Sequence, residues 1–274
     1  MTRRFTLLTT AICLLPCAAP AAQPDIPVLI RDSVAATQRN FREADKYAFT
    51  ERDVEQKLNG KGSQKSKVVK TYQVTMIDGS PYNRLVKIND QPLSPEQARG
   101  EEQKMDAERR RRLSESRSAR AKRIDKYHRE HQQDQAMLKE MADAFVFKPA
   151  GEEMVNGRAA FILDATPKPG YVPKTRDTKV LTGMRGRLWI DKTDKQWVKV
   201  EAEVIRPVSF YAVATVGPGT KFVFEQAPVE PGIWQPSHFA VRVNSTVLWV
   251  ARNSAEDERY TNYRRIEGES ARKK

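Results

Sequence analysis

Residues 184–204 read MRGRLWIDKTDKQWVKVEAEV, and this stretch decides the fold. In its last third, alternate residues are small and apolar and the residues between them are charged, which is typical of a strand with one buried face. The residues expected to share that buried face are Val198, Val200, Ala202 and Val204. A turn at 193–195 predicts a hairpin with the preceding strand. Because the alternation continues to Ile266, residues 184–266 predict a curved antiparallel sheet.

The N-terminal part of the chain adds a helix and more strands. Apolar residues recur at helical spacing from about Pro27 to Lys46, so this segment predicts an amphipathic helix that packs against the sheet. Three extended segments then follow up to residue 93, with turns at 59–62 and at Asp78-Gly79. These strands predict a meander that belongs to the same sheet.

Residues 94–145 are dominated by charged side chains, Gln and Ala. Ser94, Pro95 and Gln97 have the pattern of a helix start with a capping box. A continuous helix here would be about 78 Å long. Its last turns carry the apolar residues that we expect to dock on the sheet: Met137, Leu138, Met141, Ala144 and Phe145. The earlier turns are expected to project, so deletion of residues 98–135 should leave folding intact.

The fold class predicted is mainly β with α: a strongly curved antiparallel sheet, or unclosed β-barrel, of about ten or eleven strands. An N-terminal amphipathic helix covers it, and a long charged helix is inserted after the first meander. One domain is expected over residues 23–268. Its parts are the helix and meander at 23–93, the charged insertion at 94–146 and the rest of the half-barrel at 147–268, between a signal peptide at 1–22 and a basic tail at 269–274.

The first 22 residues have the features of a secretory signal, with Arg3 and Arg4 before a short apolar run and small residues before the cleavage site. This pattern predicts export to the periplasm. Both cysteines, Cys13 and Cys17, lie in this segment, so the mature chain is expected to lack disulfides and thiolate chemistry. Lipidation at Cys17 is an alternative to simple cleavage. No later stretch is apolar over a length that crosses a bilayer.

The formal net charge is +13, but the basic residues are spread along the chain. This distribution argues against nucleic-acid binding and leaves contact with an anionic membrane surface open. A nucleophile elbow, a phosphate loop and a dinucleotide fingerprint are all missing from the sequence, so we expect a non-enzymatic protein with no cofactor and no catalytic residues. Asp125, His128, His131 and Asp134 recur every three residues, a spacing that drifts around a helix, so no metal site is predicted.

Four consecutive arginines stand out in the charged segment: Arg109, Arg110, Arg111 and Arg112. Such a cluster could contact an anionic partner, such as a membrane surface or an envelope protein. The alternative is a solvated helix face with ion pairs between residues four apart, such as Glu108 with Arg112. The second interpretation is favoured, because exposed charge runs are common.

Two segments carry a resemblance to a known family. The first is Gly186-Arg187-Leu188-Trp189-Ile190-Asp191, which leads through a short turn into Trp197-Val198-Lys199-Val200-Glu201. The second is the final strand Arg259-Tyr260-Thr261-Asn262-Tyr263. Together with the first helix, they resemble the superfamily of periplasmic lipoprotein-sorting carriers, the LolA/LolB-like proteins. The resemblance implies an unclosed β-barrel around a hydrophobic cavity that holds acyl chains without catalysis.

If the resemblance holds, the concave face of the sheet should line this cavity. The candidate lining residues are Trp189, Phe222, Phe224, Phe239, Val241 and Trp249. Two hypotheses stay open. Either the protein holds a lipid or another hydrophobic ligand, or these side chains simply fill a core and the charged helix binds a partner or an envelope polymer. The long charged helix departs from the carriers and suggests a different client.

Overall fold

The protein, seen in a computed structural model, is described here over residues 24–210 and 213–266. The predicted signal peptide, its two cysteines and the basic tail lie outside the described residues. Three helices fall within these ranges: α1 Ile26–Phe41, α2 Pro95–Leu113 and α3 Arg117–Ala144. None of the described helices combines the length and apolarity needed to cross a bilayer.

The predicted single charged helix is two helices. Ser94 begins α2 with the expected capping box, since its hydroxyl accepts from the Gln97 N–H at 3.2 Å and the Gln97 side chain accepts from the Ser94 N–H at 2.9 Å. The chain then breaks at 114–116. There the Ser114 hydroxyl donates to the Arg111 carbonyl at 3.0 Å, and Ser116 caps α3. Serine side chains that bond to nearby backbone compete with helix continuation, which explains the break.

Fifteen strands are described, and adjacent strands pair antiparallel. They are β1 Tyr47–Leu58, β2 Gln64–Ile77, β3 Ser80–Ile88, β4 Gln91–Pro92, β5 Phe145–Val155, β6 Arg158–Pro167, β7 Met184–Asp191, β8 Trp197–Val204, β9 Val208–Phe210, β10 Ala214–Val216, β11 Lys221–Glu230, β12 Ile233–Val243, β13 Ser245–Val247, β14 Val250–Ala251 and β15 Asn253–Arg265. Eleven form one sheet in the order β4-β3-β2-β1-β15-β12-β11-β8-β7-β6-β5. This sheet is curved and does not close, so the predicted fold class is confirmed.

The two edges of the sheet are unlike its interior. At one end, β4 has only two residues. At the other end, β5 contains Pro149 and Gly151, and its pairing with β6 shifts register between them. Gly151 has a φ of +115°, a conformation that L side chains rarely adopt. Both edge strands are therefore short or interrupted.

Helix α1 lies on the concave face of the sheet and forms the main core with it. Leu29, Ile30 and Val34 are buried there, and the sheet contributes Leu163, Leu188, Ile190, Trp197 and Val200. Inside this core the Trp197 indole donates to the Ser33 hydroxyl at 2.9 Å. The amphipathic helix predicted from periodicity therefore packs as expected, although it ends at Phe41 and a short 3-10 turn replaces its last residues.

One detail of the predicted hairpin is wrong. Val198 does not share a face with Val200, because the pairing of β7 and β8 shifts register at this point: Trp189 lies opposite Lys199, and Ile190 lies opposite Trp197. Val198 is the extra residue of a β-bulge and packs with Trp189 and Trp234 in a second cluster. The bulge turns Trp197 and Val200 to the same side, toward α1.

A small second sheet was not expected from the sequence. It has the order β14-β13-β10-β9 and lies outside the main sheet. The tip of its β13–β14 hairpin is Leu248-Trp249, with φ values of +47° and +63°. Positive φ at both central residues is the geometry of a type I′ turn.

Candidate ligand-binding site

A cavity of about 310 Å³ lies on the concave face, between the C-terminal end of α1, α3 and strands β1, β2, β12 and β15. We call it the aromatic chamber. Eight of its lining residues are phenylalanine, tyrosine or tryptophan: Phe41, Tyr47, Phe49, Tyr127, Phe224, Trp234, Tyr260 and Tyr263. Four of these rings form a contact chain: the centroid of Phe49 lies 5.2 Å from that of Tyr263 and 5.9 Å from that of Tyr260, and Tyr47 lies 6.3 Å from Tyr263. The chamber is therefore a cage of π-systems.

A bulge in β15 brings two of these tyrosines to one face. Tyr260 and Tyr263 are three residues apart, and a regular strand would send them to opposite faces. Asn262 between them has a φ of +56°, and the pairing of β1 with β15 shifts register opposite Phe49. Asparagine tolerates this left-handed conformation better than most residues. The final Asn-Tyr of the sequence thus places Tyr263 in the chamber.

The aromatic chamber also contains a carboxyl group, that of Glu51. Burial, and then the negative charges of Glu258, Asp53 and Glu256, raise the pKa of Glu51 to about 7. Along the same face, Asp53 pairs with Glu258 and Glu55 pairs with Glu256 across β1 and β15. Like charges directly opposite one another destabilise a sheet. The carboxylates of Asp53, Glu55, Glu256 and Glu258 therefore repel one another when they are ionised.

The Glu51 carboxyl group should accordingly reduce the stability of the protein as the pH rises. A carboxyl group whose folded pKa lies above its unfolded pKa binds its proton more tightly in the folded state. Its contribution is present below the unfolded value and lost as the pH passes the folded value, from about 4.5 to about 7 for Glu51. Allowing for partial solvent screening, we expect the Glu51 carboxyl to lower the free energy of unfolding by about 1–2 kcal/mol across this range.

Denaturant unfolding of the wild type and Glu51→Gln at several pH values measures this effect. The variant should show the smaller loss of stability between about pH 5 and pH 8, since an amide does not ionise. Equal losses in the two proteins would contradict the assignment of the raised pKa to Glu51.

A second cavity, of about 190 Å³, lies at the other end of the concave face and is named here the apolar chamber. The last turns of α3, β5 and the 3-10 segment Asp177–Gly183 cover it, and β7, β8 and β11 form its floor. Its walls are almost wholly hydrophobic and include Met137, Met141, Phe145, Phe147, Leu181 and Met184. The predicted docking of the end of the charged segment onto the sheet therefore encloses this space.

Four of the six predicted lining residues share the concave face. Phe222 lines the apolar chamber and Phe224 the aromatic chamber. Phe239 lies opposite Phe224 and packs edge-to-face on Phe222, with ring centroids 5.4 Å apart. Val241 lies directly opposite Phe222 on the neighbouring strand. Phe222 and Phe224, two residues apart on β11, thus each line one of the two chambers.

The other two predicted residues lie elsewhere. Trp189 is buried on the opposite face from Leu188 and Ile190, where its indole donates to Glu153 at 2.9 Å. Strand alternation places it there, since its two neighbours face α1. Trp249 is 89% exposed at the tip of the small sheet. Neither side chain lines a chamber, so their predicted placement in the cavity is wrong.

Hydrogen bonds hold the two charged helices, α2 and α3, against the end of the sheet at the β2–β3 turn. We call this set of contacts the clamp. Arg112 of α2 is 7% exposed, and its guanidinium donates to the carbonyls of Ile77, Ser80 and Pro81 at 2.7, 2.8 and 3.1 Å. Arg123 of α3 donates to the Ser80 hydroxyl at 2.8 Å. These helices are not the projecting appendage that the sequence suggested, because buried hydrogen bonds fix both to the turn.

Asp78, in the same turn, completes this clamp. It pairs with Arg120 at 2.6 Å and with Arg123 at 2.9 Å. Burial alone would raise the pKa of Asp78, but the hydrogen bonds and charges of the two arginines outweigh it and lower the pKa. From the clamp, α3 continues over the aromatic chamber, where Tyr127 and His131 form part of the wall.

The four consecutive arginines have different surroundings. Arg109 pairs with Asp106 at 3.4 Å, and Arg111 bridges Glu108 and Glu115 at 2.6 and 2.8 Å. Arg110 is exposed and makes no ion pair within the described ranges. Since Arg112 is buried, at most three of the four can face an anionic partner.

One group of carboxylates among the described residues has oxygen atoms close enough to share a metal ion. The atoms of Asp53, Glu256 and Glu258 lie within 4.8 Å of one another. In the predicted histidine run, His131 packs against the Tyr127 ring at 4.4 Å and lines the aromatic chamber, whereas His128 is exposed.

Sequence reasoning missed most of the aromatic chamber. Tyr47, Phe49 and Glu51 alternate along β1, a pattern that predicts a strand with these three side chains on one face but does not indicate a cavity. Tyr127 lies in a segment read as solvated, where one tyrosine among charges gave little indication of contact with the sheet. The rest depends on pairing between strands about 200 residues apart, which no local pattern predicts.

No protein family and no curated protein matches the sequence. Several solved structures are similar to it. A putative outer membrane lipoprotein-sorting protein domain from Vibrio parahaemolyticus is 12% identical, with a TM-score of 0.33 over 87% of this chain and 94% of that chain. A DUF1329 family protein from Desulfovibrio piger is 13% identical, with a TM-score of 0.33 over 90% and 95%. A LolA superfamily protein from Nitrosomonas europaea is 10% identical, with a TM-score of 0.29 over 85% and 95%.

Proposed function

We propose that this protein is a non-enzymatic binding protein of the bacterial envelope that holds a hydrophobic ligand on the concave face of its open sheet. The observation that carries the proposal is the apolar chamber of about 190 Å³. Methionine and phenylalanine side chains surround it, and such an enclosed apolar space favours an acyl chain or a similar group.

The way in which α1 and α3 cover the concave face of the sheet supports this function. A filled scaffold would bring its helices into contact with the whole concave face, at the density of a protein interior. Here α1 fills only the middle of the face, and a chamber remains on each side of it. Helix α3 closes both chambers and reaches from the clamp at Asp78 to Phe145.

The competing proposal, a scaffold whose charged helices bind a partner or an envelope polymer, has less support. Arg112 and Arg123 are directed at the β2–β3 turn, and Arg111 is held by two glutamates. Only part of the arginine cluster is left for an anionic surface. Export to the periplasm, by a signal that is either cleaved or lipidated at Cys17, belongs to the same proposal.

Extraction of the protein with organic solvent after purification from its native host tests the proposal. A lipid or other amphiphile in roughly stoichiometric amount is the expected result. Calorimetric binding of the neutral amphiphile decyl maltoside provides a second measurement on the purified protein. A ligand-free extract together with a lack of decyl maltoside binding would favour the filled scaffold.

Filling the apolar chamber should block this binding. Ala202 lines the chamber floor, so the ring introduced by Ala202→Phe occupies space that a ligand needs. We expect decyl maltoside affinity to fall by about tenfold or more, since about 1.4 kcal/mol corresponds to each factor of ten. The matched control is Ala159→Phe, which adds the same ring at an exposed position of β6. If both variants bind as tightly as wild type, the apolar chamber is not the binding site.

A further inference from the structure

The aromatic chamber differs chemically from the apolar chamber, and the difference indicates what its ligand carries. We propose that the aromatic chamber binds the alkylammonium head group of an amphiphile, with Glu51 as its counter-ion and the surrounding rings as its cage. This inference rests on the proposed function in one respect only, that the concave face holds an amphiphile.

The rings form the first part of the argument. The Phe49 ring contacts those of Tyr263 and Tyr260 at centroid distances of 5.2 and 5.9 Å, and Tyr47 lies edge-on to Tyr263 at 6.3 Å. The face of an aromatic ring carries negative charge density and attracts cations. Groups of such rings around one space are the surfaces that recognise quaternary and alkylated ammonium groups. Trp234 also borders the space, but its ring packs with Trp189 and Val198 and lies under the Arg158 guanidinium at 5.1 Å, so it is not part of the cage.

Glu51 makes the aromatic chamber negatively charged when its carboxyl group is ionised. Its carboxyl group makes no hydrogen bond and no ion pair with the residues that the structure describes, although burial and neighbouring acids act on it. The neighbours on its own sheet face are mostly acidic or neutral: Asp53, Glu256, Glu258, Tyr72 and Tyr260. Of the basic residues on this face, Lys70 lies opposite Asp53 and Lys57 lies beyond Glu55 on β1.

The other elements around Glu51 supply little positive charge. Helix α3 contributes Tyr127 and His131 to the wall, and Tyr127 donates its hydroxyl hydrogen to Asp45. Arg265 lies beyond Tyr47 and is paired with Glu230 at 2.9 Å. A carboxylate in such a space favours a cation over a neutral or anionic group.

Two buried amides point to a ligand in the same chamber. Asn40 and Gln235 both line it and are each 4% exposed. The amide nitrogen of each is buried without a hydrogen-bond partner in the described part of the chain. Buried polar groups are nearly always satisfied, so orphaned amides in a cavity wall indicate a group that the ligand supplies. An ester or hydroxyl oxygen next to the ammonium group would fit them.

Probes with one tail and different head groups test this inference. Decanoylcholine, decyl maltoside and decanoate share a chain of about ten carbons and carry positive, neutral and negative head groups. At about pH 8, where Glu51 is ionised, we expect the wild-type protein to bind decanoylcholine about tenfold more tightly than decyl maltoside. Decanoate should bind most weakly. Free choline, measured in the same way, separates recognition of the head group from that of the tail.

Glu51→Gln is the decisive variant. It keeps the shape of the side chain and removes the charge, so the preference for decanoylcholine over decyl maltoside should shrink to about twofold. The control is Glu55→Gln, which removes an exposed acid from the same face of β1 outside the chamber and should keep the full preference. At about pH 5.5 the wild type should resemble Glu51→Gln, because Glu51 then binds its proton.

The outcomes separate this inference from the proposed function. Decyl maltoside binding with no preference for decanoylcholine, or a preference that survives Glu51→Gln, overturns the alkylammonium site and leaves the proposed function standing. A lack of binding by all three amphiphiles overturns both. Choline binding without decyl maltoside binding supports the head-group site and removes the hydrophobic tail from the proposal.

Discussion

Replacement of Arg112 by alanine should lower the free energy of unfolding by about 3–5 kcal/mol. This is the largest effect that we expect from a single substitution in the charged segment, residues 94–145. The side chain is buried, and it satisfies backbone carbonyls of Ile77, Ser80 and Pro81 while pairing with Glu108 at 2.5 Å. Truncation would leave these acceptors buried without donors. Urea unfolding followed by circular dichroism measures the change.

Arg110 provides the matched control two residues earlier. It has the same side chain in the same run of arginines, is exposed, and makes no ion pair within the described ranges. Arg110→Ala should change stability by less than about 0.5 kcal/mol. Arg112→Lys should recover only part of the loss, because an ammonium group cannot reproduce the planar fork of the guanidinium. Equal effects of the two alanine variants would mean that the clamp contributes nothing.

Because of the clamp, deletion of residues 98–135 should not leave folding intact, contrary to the expectation from the sequence. Residues 98–135 include Arg112, Arg123, Tyr127 and His131, so their removal would free the β2–β3 turn and open one wall of the aromatic chamber. We now expect such a deletion to destabilise the fold and to abolish head-group binding.

Asp191→Ala should destabilise the protein by about 3–4 kcal/mol. The carboxylate is 1% exposed at the end of β7. It accepts from the backbone N–H groups of Thr193 and Asp194 at 2.9 and 2.6 Å, and it forms a two-pronged pair with Arg158 at 2.7 and 2.9 Å. These bonds fix the turn into β8 and, through it, the floor of the apolar chamber.

Asp164 offers a control with the same chemistry at the surface. It pairs with Arg187 at 2.8 Å, but both side chains are about half exposed. Asp164→Ala is therefore expected to change stability by less than about 1 kcal/mol. Thermal and urea unfolding of the two variants should rank them clearly, and a stable Asp191→Ala protein would show that the turn holds without its carboxylate.

The sequence predicted the sheet well because most residues of its strands alternate between the two faces. In β1, β8 and β15 the pattern with a period of two was enough to assign extended structure, and in α1 the helical spacing of Leu29, Ile30 and Val34 gave the face that packs on the sheet. The capping box at Ser94 located the start of α2 to the residue. These features are local, so a window of a few residues contains them.

The features that local patterns could not give are the ones that shape the chambers. Bulges at Val198 and near Asn262 change which residues face inward, and each depends on the partner strand. The break at 114–116 turns one expected rod into two helices, and its effect depends on hydrogen bonds to a turn more than 30 residues earlier. Phe222 and Phe224 were found because they belong to a regular strand, whereas Glu51 was not recognised because its meaning depends on what surrounds it.

The interrupted outer strands bear on how this protein behaves at high concentration. An open sheet offers unpaired backbone groups along both sides, and a second molecule could extend it strand by strand into a fibre. The edge strand β4 has only two residues, so it offers few backbone groups with which a strand of another molecule could pair. Pro149 lacks an N–H, and the kink at Gly151 bends β5 away from a straight template. The sheet can thus stay open, as the proposed ligand binding requires, and still be a poor template for self-assembly.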